Sequence, residues 1–108
     1  MDRDSRVRAY YQRLDDGDYA GLESLLHPEF SQRRPDRTFE DRASFLTFMR
    51  SERPVTDTRH DITTVCASRG GRAASGTLRD SEGNELFTFI DVFMFGPDGR
   101  ISRLITYV

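Results

Sequence analysis

The sequence holds one cysteine, Cys66, only two histidines and no lysine. A lone cysteine excludes an intrachain disulfide and any multi-cysteine zinc site. No stretch approaches 18 apolar residues, so no segment reads as a membrane span. The opening residues, Met1-Asp2-Arg3-Asp4-Ser5-Arg6, are charged, and no apolar signal region follows them. These absences set a reducing, soluble, cytoplasmic environment as the expectation. An excess of one charge is lacking too: 16 arginines face 18 acidic residues, a net charge of −2. A generic polyanion binder needs a basic excess to displace counterions, so nucleic acid is not an expected partner. The missing lysine reads as coding bias, and it leaves a rigid, always-charged donor at every basic position.

What is present fits one domain of 108 residues, spanning 1–108. Eight Phe and four Tyr exclude an acidic disordered tail. No repeat or linker divides the chain, but the hydrophobic period changes once, from helical to alternating. Val7, Tyr10, Tyr11 and Leu14 form one apolar helical stripe. Gly17 stops that helix, and Asp18 caps a second carrying Leu22, Leu25 and Leu26, which His27-Pro28 ends. His27 there reads as a capping residue near the last carbonyls. A short extended piece, 29–33, turns at Pro35-Asp36. Asp41 caps a third helix burying Phe45, Phe48 and Met49, and Pro54 closes it.

From Arg59 onward the period is two, giving strands over 59–68, 72–80, 85–95 and 100–108. Gly70-Gly71, Glu82-Gly83-Asn84 and Pro97-Asp98-Gly99 separate them as hairpin turns. Three N-terminal helices on a meandering antiparallel sheet make an α+β arrangement. In the third long strand, Phe87, Phe89, Asp91, Phe93 and Phe95 share one face; Thr88, Ile90, Val92 and Met94 share the other. The last strand puts Leu104, Thr106 and Val108 on one side, and Ile101, Ile105 and Tyr107 on the other. Helices cover only one face of such a sheet, and an uncovered apolar patch marks an interface. A homodimer through Ile90, Val92, Met94, Ile105 and Tyr107 is therefore expected.

Asp91 is the residue that asks for an explanation. A carboxylate flanked by four phenylalanines on its own face is costly to ionise in a dry site. Three outcomes stand open: a raised pKa, an arginine partner, or a water-filled cavity. Tyr10, on the core-facing stripe, is the natural second hydrogen-bond donor beside it, or else a large amphipathic core residue. Neither histidine has ligand spacing to the other, so no metal site is expected. His60 begins a strand as a partly exposed residue, and Cys66 reads as a small buried hydrophobe. Neither a phosphate-binding glycine loop nor a nucleophile elbow is present, and no cofactor is called for.

Several segments in order carry a family resemblance: Tyr10-Tyr11, Asp16-Gly17-Asp18-Tyr19, Leu25-Leu26-His27-Pro28-Glu29-Phe30, Asp41-Arg42, Phe89-Ile90-Asp91-Val92-Phe93-Met94-Phe95 and Asp98-Gly99-Arg100-Ile101. Over nearly the whole chain this pattern resembles the SnoaL-like group of the nuclear transport factor 2-like superfamily. The resemblance implies a cone-shaped roll of three helices on a curved, mostly antiparallel sheet, the cystatin-like architecture. Within that superfamily the Ile-Asp-Val stretch and closing turn look most like ketosteroid isomerase. That likeness places Asp91 on the family's protonated oxyanion-hole aspartate and Tyr10 on its oxyanion-hole tyrosine. The family's general-base aspartate precedes a proline, and here that position is Arg34, before Pro35. Arginine stays protonated and cannot take a proton from carbon. The tyrosines that brace the isomerase's site fall near Leu26 and Met49, so steroid isomerisation is not expected.

The expected pocket lies between the helices and the concave sheet face. Asp91 and Tyr10 are its catalytic candidates; Arg34, Leu14, Phe30, Phe45, Met49, Phe87, Phe89, Phe93, Leu104 and Thr106 are its ligand-binding candidates. The expected ligand is small and apolar or weakly anionic, with one carbonyl, hydroxyl or carboxylate. An inward Arg34 would hold an anion; alternatively it pairs with Asp91 and both are structural. For an enzyme of this kind the resemblance implies isomerase, cyclase or hydratase chemistry. The competing reading is a non-catalytic homodimeric interaction module whose phenylalanines fill the pocket.

Overall fold

The first helix begins where the sequence offers a cap. Asp2 accepts a hydrogen bond from the Ser5 backbone N–H at 2.7 Å, opening α1 (Arg3–Asp16). The computed structural model describes Met1–Val108. Val7, Tyr10, Tyr11 and Leu14 are the buried residues of α1, as their spacing predicts. Gly17 ends the helix at φ 70°, the left-handed region that glycine enters without penalty. Asp18 caps α2 (Tyr19–Leu25) through the Gly21 N–H, and Asp41 caps α3 (Arg42–Thr47) through the Ser44 N–H. A wide π-type turn, Phe48–Glu52, extends α3 and buries Phe48 and Met49. The Tyr19 hydroxyl donates to the Met49 carbonyl at 3.1 Å and ties this turn to α2.

Six strands form one sheet in the order β2-β1-β6-β5-β4-β3, two more than the four long strands of the sequence pattern, one of them containing the extended piece expected over 29–33. They are β1 (Leu26–Arg33), β2 (Thr38–Phe39), β3 (Arg59–Ser68), β4 (Gly71–Arg79), β5 (Glu85–Phe95) and β6 (Ile101–Tyr107). The additional pieces are β1, which begins at Leu26 and pairs parallel with β6, and the two-residue β2. All other pairings are antiparallel, so the helices cover the concave face of a mostly antiparallel sheet. No helix is long and apolar enough to cross a membrane.

A helix end and two register shifts correct four of the expected positions. Leu26 and His27 belong to β1, because α2 ends at Leu25. His27 is thus no helix cap; its Nδ1 accepts the Glu29 N–H at 3.0 Å. A bulge between Ile62 and Thr64 reverses the side-chain parity of β3, so Val65 packs on the core and Cys66 is exposed. A second irregularity, where Phe95 pairs with Ile101, turns Ile101 into the core, where it is fully buried, away from Ile105 and Tyr107. On the outer face Ile90 and Tyr107 lie opposite each other across β5 and β6, about half exposed (49 % and 50 %).

The core interlocks aromatic rings from helix and sheet. Tyr10 and Tyr11 meet edge to face at 5.1 Å, and each sets an edge against Phe93, at 5.4 and 5.9 Å. Phe45 lies over Tyr10 and edge-on to Phe30. Phe30, Phe45, Phe93 and Leu104, expected to line the pocket, are instead wholly buried packing residues beneath it. The reason is packing: all four belong to the close-packed core cluster and leave no surface to a ligand.

Candidate functional site

Residues of α1, the π-type turn and the sheet enclose a cavity of about 170 Å³. It is smaller than the few hundred cubic ångströms a typical ligand pocket offers. Its size is that of a site for a single ring, since a ~150 Å³ protein cavity holds benzene. Of the expected lining residues, Tyr10, Leu14, Arg34, Met49, Phe87, Phe89, Asp91 and Thr106 reach it. Exposed Val55, Leu86 and Val108 form an apolar rim.

Asp91 sits in the wall at 5 % exposure, on the strand face that alternation predicts. Its hydrogen-bond partner is Tyr11, not Tyr10. The Tyr11 hydroxyl donates to Oδ2 at 2.6 Å, and the Thr106 hydroxyl donates to Oδ1 at 2.6 Å. Gln32 Nε2 in turn donates to Thr106 Oγ1 at 2.9 Å, so β1, β6, β5 and α1 are joined in one chain of bonds. Both tyrosines lie on the same helical stripe, and only the rotation of α1 over the sheet decides which hydroxyl meets the acid. Tyr10 lines the cavity alongside, its ring held by Phe45 and Phe93.

Burial raises the Asp91 carboxyl above the usual carboxylate range. The hydrogen bonds from Thr106 and Tyr11, and the charges of His60 and Arg34, oppose that rise. Burial also raises both tyrosine hydroxyls, with the Asp91 charge as a second cause, so both keep their protons. Arg34 does not pair with Asp91. Its Nε lies 3.4 Å from Asp36 Oδ1, within reach as an ion pair but outside hydrogen-bond geometry. Arg34 lies one residue beyond Arg33, the end of β1, where the two-residue period puts it on the side of Phe30 and Gln32. Its guanidinium also packs over the Phe48 ring at 5.6 Å.

Four buried polar side-chain atoms have no hydrogen-bond partner: Gln32 Oε1, Arg34 Nε, Arg53 Nε and Thr58 Oγ1. All four residues line this one cavity. Arg53 and Thr58 belong to the connection between the π-type turn and β3, where Asp57 adopts φ 58°. Nothing in the local sequence pattern marks either residue.

His60 is the partly exposed strand residue expected, near the start of β3, but its side chain is also held from α1: it is 14 % exposed, and Nδ1 lies 2.6 Å from Asp15 Oδ1. The second oxygen of Asp15 accepts the His60 backbone N–H at 2.9 Å. The imidazole meets the Tyr11 ring at a tilt, 5.2 Å away, and the Phe89 ring edge to face at 5.6 Å, and it lines the cavity. No group of three His, Cys, Asp or Glu side chains is placed to hold a metal.

The profile of the SnoaL-like domain matches residues 7–104. The chain belongs to the SnoaL-like family. Solved structures agree with that assignment in fold. A protein of Sinorhizobium meliloti, provisionally named a polyketide cyclase, is 14 % identical with a TM-score of 0.81, covering 95 % of this chain and 94 % of its own. A protein of Kribbella flavida, provisionally named a ketosteroid isomerase, is 22 % identical with a TM-score of 0.80, over 94 % of this chain and 73 % of its own. The epoxide hydrolase/cyclase-like enzyme SalBIII, of pyran ring formation in the polyether salinomycin, is 16 % identical with a TM-score of 0.76, over 97 % of this chain and 88 % of its own. No curated protein matches the sequence. The cone-shaped α+β roll expected from the sequence is thus the fold of the SnoaL-like chain.

Proposed function

We propose that the SnoaL-like cavity binds a small, ring-sized apolar molecule carrying one carbonyl, hydroxyl or carboxylate, for isomerase-, cyclase- or hydratase-type chemistry. One observation carries this reading: the four residues that hold the protein's buried polar atoms without a hydrogen bond, Gln32, Arg34, Arg53 and Thr58, all line the same cavity. A buried polar group without a partner costs about 1–3 kcal/mol. Scattered through a core, four such residues would be a defect; gathered around one space, they offer polar side chains to an oxygen-bearing ligand. Arg34 and Arg53 supply cationic donors, Thr58 a hydroxyl and Gln32 an acceptor, while the phenylalanines of β5 hold the ring. The provisional names of the structural neighbours, cyclase and isomerase, agree with this class of ligand.

Benzoate is the simplest test molecule, because its ring fills the cavity and its carboxylate addresses the arginines. Calorimetric titration is expected to show saturable binding. Arg34→Met, which keeps the apolar stem, is expected to weaken it tenfold or more, from loss of a charge-assisted bond of about 1.5–3 kcal/mol. Asp91→Asn is expected to weaken it as well. Binding unchanged in both variants removes the ligand from this cavity and leaves the filled interaction module.

We further propose that the outer sheet face joins two copies of this chain. Ile90 and Tyr107, exposed and opposite each other, are flanked by half-buried Val92, Met94 and Ile105. Light scattering is expected to give the mass of a dimer at micromolar concentration and of a monomer for Ile90→Asp; a wild-type monomer refutes the interface.

A further inference from the structure

Proton transfer needs a base, and the position before Pro35 provides only an arginine. A different pair fills that role. We infer that His60, held by Asp15, is the general base of this cavity and takes a proton from carbon while the developing oxyanion faces Arg34 and Arg53. The inference rests on the ligand-binding reading above and adds the group that would react.

The geometry fixes the imidazole in one working orientation. Asp15 contacts the same residue twice, through the backbone N–H and through Nδ1. An ionised carboxylate only accepts hydrogen bonds, so Nδ1 carries the proton and donates it to Oδ1. In the neutral ring Nε2 is then left as the basic lone pair. It has no protein partner, and it is not among the four sealed unpaired atoms, so it is accessible from a residue that lines the cavity. Tyr11 and Phe89, neighbours of each other, both pack against the ring, Phe89 edge to face. Asp15 does not itself line the cavity, which makes it a positioning residue.

The step balances without a further reactant. Nε2 gains the proton as the C–H bond breaks, and the electron pair moves into the neighbouring carbonyl to form an enolate oxyanion. The guanidinium groups of Arg34 and Arg53 stabilise that charge. Returning the proton to another carbon completes an isomerisation and restores the neutral imidazole. The titratable and charged groups around His60 are Asp15 and Tyr11 from α1, Asp91 from β5, and Arg34 and Arg53 on the cavity wall.

The test uses 5-nitrobenzisoxazole, a flat bicyclic compound with one acidic C–H. Loss of that proton breaks the ring N–O bond and releases a coloured cyanonitrophenolate. The wild-type protein is expected to catalyse this elimination saturably, faster than free imidazole at equal concentration. His60→Gln is expected to lose about 100-fold or more, the lower range of general-base contributions. The same variant is expected to bind the phenolate product within threefold of wild type.

Asp15→Asn gives an independent check that does not depend on the fold of the histidine variant. Its amide can donate to Nδ1, which moves the ring proton to Nε2. Long-range nitrogen NMR is expected to show that tautomer, together with a rate loss of about tenfold or more. A His60→Gln protein that keeps its rate within threefold overturns the inference. So does a wild-type protein that binds the phenolate but gives no elimination above imidazole, an outcome that leaves the cavity reading standing. Absence of both binding and turnover overturns both.

Discussion

Removing one hydroxyl tests the central geometry. Tyr11→Phe deletes the bond to Asp91 Oδ2 and keeps the ring contacts with Tyr10, Phe93 and His60. The bond is buried, so solvent does not replace it. A hydrogen bond to a neutral partner contributes about 0.5–1.5 kcal/mol, and one to a charged partner about 1.5–3 kcal/mol. Burial raises the Asp91 carboxyl, so in acid its partner is a neutral acid and at higher pH a carboxylate. The cost of Tyr11→Phe is therefore expected to be about 1 kcal/mol near pH 4 and to grow toward about 2 kcal/mol or more once Asp91 has ionised. Linkage gives the same sign. The Tyr11 bond lowers the Asp91 pKa, so the variant's native state keeps its proton to higher pH than wild type. Between the two native values the variant binds more protons, and its stability falls further behind as pH rises.

Urea denaturation across pH 4–8 measures the difference directly, and each kcal/mol corresponds to roughly 4 °C in Tm for a chain of this size. Tyr10→Phe is the control, because its hydroxyl makes no bond to Asp91. A Tyr11→Phe penalty below about 0.5 kcal/mol, or one that does not grow with pH, refutes the buried Tyr11–Asp91 bond.

Wild-type stability carries the signature of Asp91 itself. A group whose native pKa is raised contributes most below its unfolded value, about 3.9, and that contribution is lost as pH rises through the native value. Asp91→Asn is expected to flatten this decline, and parallel urea curves for both proteins across that range would contradict it. Phe93→Ala is expected to cost about 3–5 kcal/mol in chemical denaturation, because the ring is fully buried between both tyrosines. Cys66→Ser is expected to change stability by less than about 0.5 kcal/mol, since the bulge in β3 turns the thiol outward. A larger loss would place the thiol in the core after all.

The legible parts of the molecule were those with a local signature. Val7, Tyr10, Tyr11 and Leu14 repeat at helical spacing, and Asp2, Asp18 and Asp41 each stand where a cap belongs, although the sequence pattern marks only Asp18 and Asp41. Asp91 was legible because a carboxylate interrupts an otherwise phenylalanine face. The choice between Tyr10 and Tyr11 was not, because 100° of helical rotation separates two residues that are both buried. The bulges near Thr64 and Phe95 leave no mark in composition, yet each reverses a face and moves Cys66 or Ile101. The Asp15–His60 pair spans 45 positions, and the bond from Gln32 to Thr106 spans 74, so neither has a local pattern to read.

The distribution of satisfied and unsatisfied groups argues most directly for a site. At the surface this chain leaves little undone: all three helices begin with an aspartate whose side chain accepts a backbone N–H at 2.7–2.9 Å. Asp80 and Asp98 organise their hairpin turns in the same way, each accepting a backbone N–H. A sequence so consistent in its exposed turns nevertheless places around one cavity a buried acid and the four residues whose buried polar atoms lack a hydrogen bond. Local rules are broken at functional positions, because a group reserved for a ligand cannot also be satisfied by the fold. Replacing those residues with apolar ones of similar shape, Thr58→Val first, should therefore leave the chain no less stable while weakening benzoate. A marked loss of stability on Thr58→Val would instead make that hydroxyl part of the scaffold.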